Sequence, residues 1–74
     1  MQTRIITDPQ VNHGRPTVAG TRISAQTVLE FLAAGDSVDE VLAAYPTLSR
    51  EDVLACLAYA SKLMANHFTV ERVA

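Results

Sequence analysis

The side chains best suited to catalysis or metal binding are few, and their spacing fits neither task. His13, Cys56 and His67 do not form any zinc-binding spacing. The stretch from Gly14 to Gly20 faintly resembles a phosphate-binding loop, but five residues separate the two glycines and no lysine precedes Thr21. No pattern of residues resembles a nucleophile paired with a base. We therefore predict that the chain is not an enzyme, has no catalytic residues, and binds no metal and no cofactor.

Acidic side chains provide one more candidate for a metal cluster. Asp36, Asp39 and Glu40 lie close together in the sequence. They coincide with a predicted helix beginning, where free peptide N–H groups favour negatively charged side chains. A role in starting that helix explains the three acids without a metal ion.

The stretch SVDEVLAAYPTLSREDVL, residues 37–54, contains the same helix-start signal twice. Ser37 with Glu40, and twelve residues later Ser49 with Asp52, fit the capping box, in which two side chains satisfy free N–H groups at a helix N-terminus. The Tyr-Pro-Thr-Leu between them predicts a tight turn, because proline disfavours helical geometry at the residue before it. A short helix, a turn and a longer helix are the layout of a helix-turn-helix.

Two further signals complete a pattern of three helices. Ser24 is a good N-cap for a first helix, and Gly35 is placed to end it. The third helix is predicted to continue to about Asn66. Cys56 lies in its apolar run and is predicted to be a buried, unreactive thiol. The core-facing stripe of this helix, spaced by four, three and four residues, is predicted to be Val53, Leu57, Ala60 and Met64.

Residues 1–23 are predicted to form an extended arm. Short segments rich in β-branched residues flank two turn signals, Asp8-Pro9 and Asn12-His13-Gly14, which together predict a hairpin of two strands. Such a hairpin is marginal in water and must rest on the helices or on another chain. The predicted fold is therefore mostly α, with a three-helix helix-turn-helix bundle over residues 24–66 behind a short N-terminal β-hairpin arm. Residues 67–74 are the C-terminal tail.

The composition favours a small module that binds another protein. The 74 residues are 49% hydrophobic, and a chain of this length has little interior in which to bury them. A single cysteine excludes an internal disulfide, so the apolar excess indicates a partner surface, and we expect a homodimer. The first residues do not resemble a signal peptide, and no apolar run is long enough to span a bilayer. We expect a cytoplasmic protein that makes no membrane contact.

The arginines are the natural candidates for contacts with DNA. In a helix-turn-helix, the beginning of the third helix meets base edges in the major groove. The N-terminal arm adds cations that can hold phosphates, since residues 1–22 contain three arginines and one aspartate. The residues predicted to bind DNA are Arg4, Arg15, Arg22, Thr47 and Arg50.

Acidic charge over the rest of the chain argues against DNA binding. Residues 23–74 hold seven acids and three bases, and Glu51 would place a carboxylate against a polyanion. Composition alone is equally compatible with a DNA-reading helix-turn-helix and with a plain three-helix module whose third helix binds protein. The basic arm favours DNA slightly.

A set of short motifs runs through about residues 4–65. They are Asp8-Pro9, Gly14-Arg15-Pro16, Gly20-Thr21-Arg22-Ile23, Leu32 to Gly35, Tyr45 to Leu48, and Asp52 through Tyr59-Ala60. Together these motifs resemble a small bacterial family, the domain of unknown function 433. The resemblance implies a homeodomain-like helical domain that acts as the antitoxin of a type II toxin–antitoxin pair, similar to the antitoxins of PIN-like ribonuclease toxins.

The leading hypothesis is a dimeric antitoxin that neutralises a PIN-like ribonuclease by direct binding and also binds its own operator DNA. The alternative is a protein-only interaction or dimerisation module with little DNA binding. In the tail, the guanidinium of Arg72 suits an acidic pocket, and the alternating Phe68 and Val70 suit an extended strand laid on a partner. The predicted toxin-binding residues are therefore Phe68, Val70 and Arg72. The alternative is a frayed tail with a solvated arginine, in which case the toxin-binding surface is expected on the third helix around Tyr59 and Leu63.

Overall fold

A short antiparallel hairpin precedes three helices in the computed structural model, which describes residues 4–67. The elements are β1 (Ile5–Ile6), a 3-10 turn (Asn12–Gly14), β2 (Thr17–Val18), α1 (Ala25–Ala33), α2 (Val38–Ala44) and α3 (Arg50–His67). In the hairpin, Ile5 lies opposite Val18. The mostly helical fold with an N-terminal hairpin that was predicted from the sequence is therefore confirmed.

Both predicted capping boxes form. At the start of α2, the Glu40 N–H donates to Ser37 Oγ at 3.1 Å, and the Ser37 N–H donates to Glu40 Oε1 at 2.7 Å. At the start of α3, the Asp52 N–H donates to Ser49 Oγ at 3.2 Å, and the Ser49 N–H donates to Asp52 Oδ2 at 2.9 Å. Each box satisfies two N–H groups that the helix itself leaves free, so both helix beginnings are set locally.

The ends of α1 follow the same local rules. Ser24 Oγ accepts a hydrogen bond from the Thr27 N–H at 3.1 Å, as an N-cap does. After the helix, Gly35 has a φ of +104°, a left-handed conformation that glycine adopts without strain. Its N–H donates to the Leu32 carbonyl at 3.0 Å, which closes the helix end. Gly35 is therefore the stop signal predicted from the sequence.

The core lies where the hairpin and the three helices meet. α1 and α2 pack against α3 and against each other, and β1 packs against α3. The buried apolar residues come from β2 and the three helices, with one more from the turn before α3. They are Val18, Ala25, Val28, Val41, Leu48, Val53 and Cys56.

One sequence prediction about the core is wrong. Leu57 and Met64 were assigned to the buried stripe of α3, but they are 41% and 68% exposed. The buried face instead runs through Val53 and Cys56, with Ala60 partly buried. At 3.6 residues per turn, Cys56 and Leu57 lie on opposite sides of Val53 around the helix. α1, α2 and β1 pack against α3, and they bury Cys56 but leave Leu57 exposed.

The Asn12 side chain connects the turn between the two strands to the residues that follow it. Asn12 and His13 have positive φ angles of 52° and 56°, a conformation that asparagine tolerates better than most residues. The Asn12 Nδ2 group donates to Thr17 Oγ1 at 3.1 Å and to the Arg22 carbonyl at 2.8 Å. Thr17 is buried and its hydroxyl donates to the Arg15 carbonyl. The loop that carries Arg15 and the loop that carries Arg22 are thus tied together.

The boundary at the C-terminus differs slightly from the prediction. α3 includes His67, which the sequence analysis placed in the tail. Phe68, Val70 and Arg72 lie outside the described residues, so the structure leaves their predicted role untested. Over residues 4–67, none of the helices combines the length and the hydropathy that a bilayer crossing requires.

Candidate functional site

The five residues predicted to bind DNA fall into three groups. Arg4 and Arg50 are each paired with an acid of the same chain. Arg15 and Arg22 are exposed on the arm. Thr47 is exposed in the turn between α2 and α3. Two of the four arginines predicted to contact DNA are therefore already in contact with a carboxylate.

The pair between Arg4 and Asp52 joins the arm to α3. Arg4 Nη1 lies 3.0 Å from Asp52 Oδ1, and the side chains are 35% and 14% exposed. Burial by itself raises the pKa of Asp52, but hydrogen bonds from Ser49 and the Arg4 guanidinium outweigh it, so the pKa ends below its usual range. Asp52 therefore has two structural tasks: it caps α3 and it holds the arm.

The pair between Arg50 and Asp39 joins the beginnings of α3 and α2. Arg50 Nη2 lies 2.7 Å from Asp39 Oδ1, and both side chains are exposed. Exposed pairs of this kind contribute little stability, because water screens them. Arg50 was predicted from the sequence to contact DNA bases, yet its guanidinium lies beside a carboxylate. The negative charge of that carboxylate lowers the positive potential at the beginning of α3.

Arg15 and Arg22 are the cations of the arm that remain available. Neither forms an ion pair with another described residue. Asn12 holds the backbone near both of them through Thr17 and the Arg22 carbonyl. The loops that carry these two arginines are therefore held together, and both side chains are exposed.

The side of α3 that faces away from the core is apolar. Leu54, Leu57 and Met64 are 52%, 41% and 68% exposed, and Ser61 is exposed between them. We call these four residues the outward stripe. Large apolar side chains grouped on one exposed face are typical of contacts with another protein. A helix that reads DNA bases presents polar and basic side chains instead.

A second apolar surface on the same helix is a groove between α1 and α3. The groove encloses about 270 Å³. Leu29 of α1 and Tyr59 and Leu63 of α3 form its walls, and Arg15 supplies a cation at its edge. The other lining residues are Pro16, Ala25, Gln26 and Ala60. We call this surface the α1–α3 groove.

The side chains that could bind a metal ion or act as a thiol nucleophile are described over residues 4–65. Within that range, no three His, Cys, Asp or Glu side chains are grouped to hold a metal ion. Cys56 is fully buried, and burial together with nearby Asp52 raises the pKa of its thiol to about 11. A thiol with so high a pKa is inert.

Two functional features were not predicted from the sequence. Asn12 was read only as part of a turn, yet its side chain ties the two arm loops together. The sequence signal was an asparagine before His-Gly, a position that favours a left-handed backbone. Tyr59 and Leu63 were named from the sequence as an alternative toxin-binding surface, but the groove that they form with Leu29 had no local signal, because its walls come from segments that are distant in sequence.

Comparison with known proteins places this geometry in a family. The model of a family described as "Protein of unknown function (DUF433)" matches residues 5–60. The chain is 36% identical over 56 residues to the uncharacterized protein y4eO of Sinorhizobium fredii. These 56 residues are 76% of this chain but only 25% of y4eO. The chain thus spans about a quarter of the length of this relative.

A solved structure agrees with the family match. The fold is similar to the crystal structure of a DUF433 member protein from Anabaena variabilis, with a TM-score of 0.78 and 33% sequence identity. The similarity covers 82% of this chain and 60% of the Anabaena chain. The segment that the family model matches, residues 5–60, contains the hairpin, α1, α2 and the first part of α3. The chain therefore belongs to the DUF433 family.

Proposed function

We propose that the chain is the antitoxin of a type II toxin–antitoxin system and neutralises a PIN-like ribonuclease by direct protein contact. The observation that carries the protein-contact part is the apolar α1–α3 groove, which Leu29, Tyr59 and Leu63 line with the Arg15 guanidinium at its edge. The outward side of α3, which faces the DNA in a helix-turn-helix, is apolar as well and suits a protein surface better than a polyanion. The toxin as the partner follows from the family resemblance.

An antitoxin needs more than one contact surface, and α3 offers two. The outward stripe and the α1–α3 groove lie on different sides of the helix. The groove combines Tyr59 and Leu63 with the Arg15 guanidinium, so it suits a partner side chain that is apolar and lies beside a carboxylate. The tail residues Phe68, Val70 and Arg72 are the other proposed toxin contacts.

Inhibition of RNA cleavage tests this proposal. The ribonuclease encoded beside this chain's gene is purified and assayed with and without the full chain. We expect the chain to inhibit RNA cleavage when about one molecule of it is present for each molecule of ribonuclease. Failure to inhibit, or a neighbouring gene that encodes no PIN-like ribonuclease, would contradict the proposal.

Variants of the same chain then locate the toxin-binding surface. Truncation after Asn66 and Arg72→Ala both remove proposed tail contacts, and we expect the truncation to weaken inhibition more. Lys62→Ala, which changes an exposed cation on α3, is the matched control. If the truncated chain inhibits as well as the full chain, Leu63→Glu tests the groove.

Operator DNA binding is a second candidate function, supported by the helix-turn-helix layout of α2 and α3 and by the exposed Arg15 and Arg22. A gel shift with DNA upstream of the gene tests it. Arg22→Ala should weaken binding and reduce the salt dependence by roughly one unit, since one phosphate contact is lost. Arg50→Ala tests the predicted base contact. Unchanged affinity for both variants would favour the protein-only module.

A further inference from the structure

We infer that the outward stripe of α3 packs against the same stripe of a second copy, with the two α3 helices antiparallel. The stripe consists of Leu54, Leu57, Ser61 and Met64, which are spaced by three, four and three residues. This is the a/d spacing of helices that pack side by side. At 3.6 residues per turn, the four residues fall within about 80° of the helix circumference.

The order of large and small side chains along the stripe selects the antiparallel arrangement. A two-fold axis at the level of residue 59 places Leu57 opposite Ser61 of the second copy, and Leu54 opposite Met64. Each pair then recurs with the roles exchanged, as an interface with two-fold symmetry requires. In the middle a large side chain meets a small one. In a parallel pair in register, Leu57 would meet Leu57 and Ser61 would meet Ser61. Two large side chains would then clash at one level, and two small ones would leave a cavity at the next.

The residues beside the stripe also favour another helix as the occupant. Ala58 and Ala65 lie on the flank away from the core and are exposed, so a second helix can approach closely. Arg50, one turn before Leu54, is already paired with Asp39. The stripe itself carries no charge that would select an acidic or basic partner. A surface that is apolar, uncharged and complementary to itself is suited to a second copy of the same chain.

The small size of the stripe predicts a weak homodimer. One helix pair buries less than the roughly 800 Å² per partner of a standard interface. We therefore expect a homodimer that dissociates when it is diluted into the micromolar range. This assembly does not depend on the toxin and goes beyond the proposed neutralisation.

Cross-linking of two variants that each carry one added cysteine tests the register. Leu57→Cys and Ser61→Cys proteins, one carrying a size tag, are oxidised separately and as a mixture. The antiparallel arrangement predicts a disulfide-linked species in the mixture and little in either variant alone. Wild type is the control, because its Cys56 is buried with a pKa of about 11. Cross-linking of either variant with itself would overturn the antiparallel register.

Sedimentation of charged variants tests the surface itself. Met64→Glu should raise the dissociation constant of the dimer about tenfold or more, since an unpaired carboxylate would enter an apolar contact. Leu63→Glu, on the groove side of the same helix turn, should leave it unchanged, and circular dichroism checks that both variants fold. A wild-type chain that stays monomeric at high concentration would overturn the inference. So would loss of the dimer in Leu63→Glu but not in Met64→Glu.

The toxin assay separates this inference from the proposed function. If Met64→Glu abolishes dimerisation but the chain still inhibits the ribonuclease, the stripe belongs to the second copy. If wild type is monomeric and Met64→Glu abolishes inhibition, the stripe binds the toxin and the inference fails while the proposed function stands.

Discussion

The two sides of α3 have similar apolar residues but opposite surroundings. Val53 is 0% exposed, whereas its neighbour Leu54 is 52% exposed. Cys56 is fully buried, and Leu57, the next residue, is 41% exposed. α1, α2 and β1 all pack against α3 and bury its core side, whereas the three large side chains of the outward stripe are each at least 41% exposed. The difference shows that apolar content in this helix serves two purposes, packing within the chain and contact with a partner.

The two ion pairs of α3 repeat this contrast. Asp52 faces the arm, is only 14% exposed, and combines its cap with the contact to Arg4. Arg50 lies one turn before the outward stripe, and its partner Asp39 is 81% exposed. A shielded charge pair that also accepts backbone N–H bonds contributes more than an exposed one. The core side of α3 is therefore where polar as well as apolar contacts should stabilise the fold.

The largest expected difference between the two sides is the cost of removing an apolar side chain. Val53→Ala should lower the free energy of unfolding by about 2–3 kcal/mol, because it leaves a cavity in the core. Leu54→Ala should change it by no more than about 0.5 kcal/mol in dilute monomer. Urea unfolding followed by circular dichroism measures both. Equal losses for the two variants would show that the outward side is also packed within the monomer.

A smaller difference is expected between the two capping boxes. Asp52→Asn should lower the free energy of unfolding by about 1–2 kcal/mol. The substitution removes the negative charge that accepts hydrogen bonds from one backbone N–H and from the Arg4 guanidinium. Glu40→Gln, the same change in the exposed box of α2, should cost less than about 1 kcal/mol. Thermal unfolding at neutral pH compares the pair. A larger loss for Glu40→Gln would contradict the dual role of Asp52.

The pH dependence of stability sharpens the same test. The pKa of Asp52 is lower in the folded chain than in the unfolded chain, so its contribution is complete above the unfolded value of about 3.9. The contribution is lost as the pH falls through the lowered folded value, because the carboxyl then becomes protonated in both states. The stability gap between wild type and Asp52→Asn should therefore narrow as the pH falls below about 4. A gap that stays constant down to pH 2 would contradict this linkage.

The smallest expected difference is between the arginines of the two ion pairs. Arg4→Ala should lower the free energy of unfolding by about 1 kcal/mol, since it removes the partner of a part-buried carboxylate. Arg50→Ala should lower it by no more than about 0.5 kcal/mol, as for other exposed pairs. Added salt should weaken the effect of Arg50→Ala further. If Arg4→Ala lowers the free energy of unfolding only as much as Arg50→Ala, and salt weakens both effects equally, the two ion pairs do not differ in their contribution to stability.

The sequence predicted those parts of the fold that depend on neighbouring residues. Ser37 with Glu40, Ser49 with Asp52, and Gly35 act within one helix turn, so their spacing was enough to place the helix ends. The hairpin was predicted for the same reason, from turn residues between two β-branched segments. The candidate surfaces were predicted less well. The tail residues lie outside the described range, and the arginines were assigned without knowing their partners.

What the sequence determined by itself is therefore the set of elements, their order and their caps, since each rests on contacts between residues a few positions apart. Only the tertiary structure decided which side of α3 is buried. Cys56 and Leu57 are both apolar and flank Val53 around the helix, so periodicity could not choose between them. The choice depends on where α1, α2 and β1 pack against α3. It was likewise the tertiary structure that brought Arg4 to Asp52 across 48 positions, because such a contact requires the whole fold to close first.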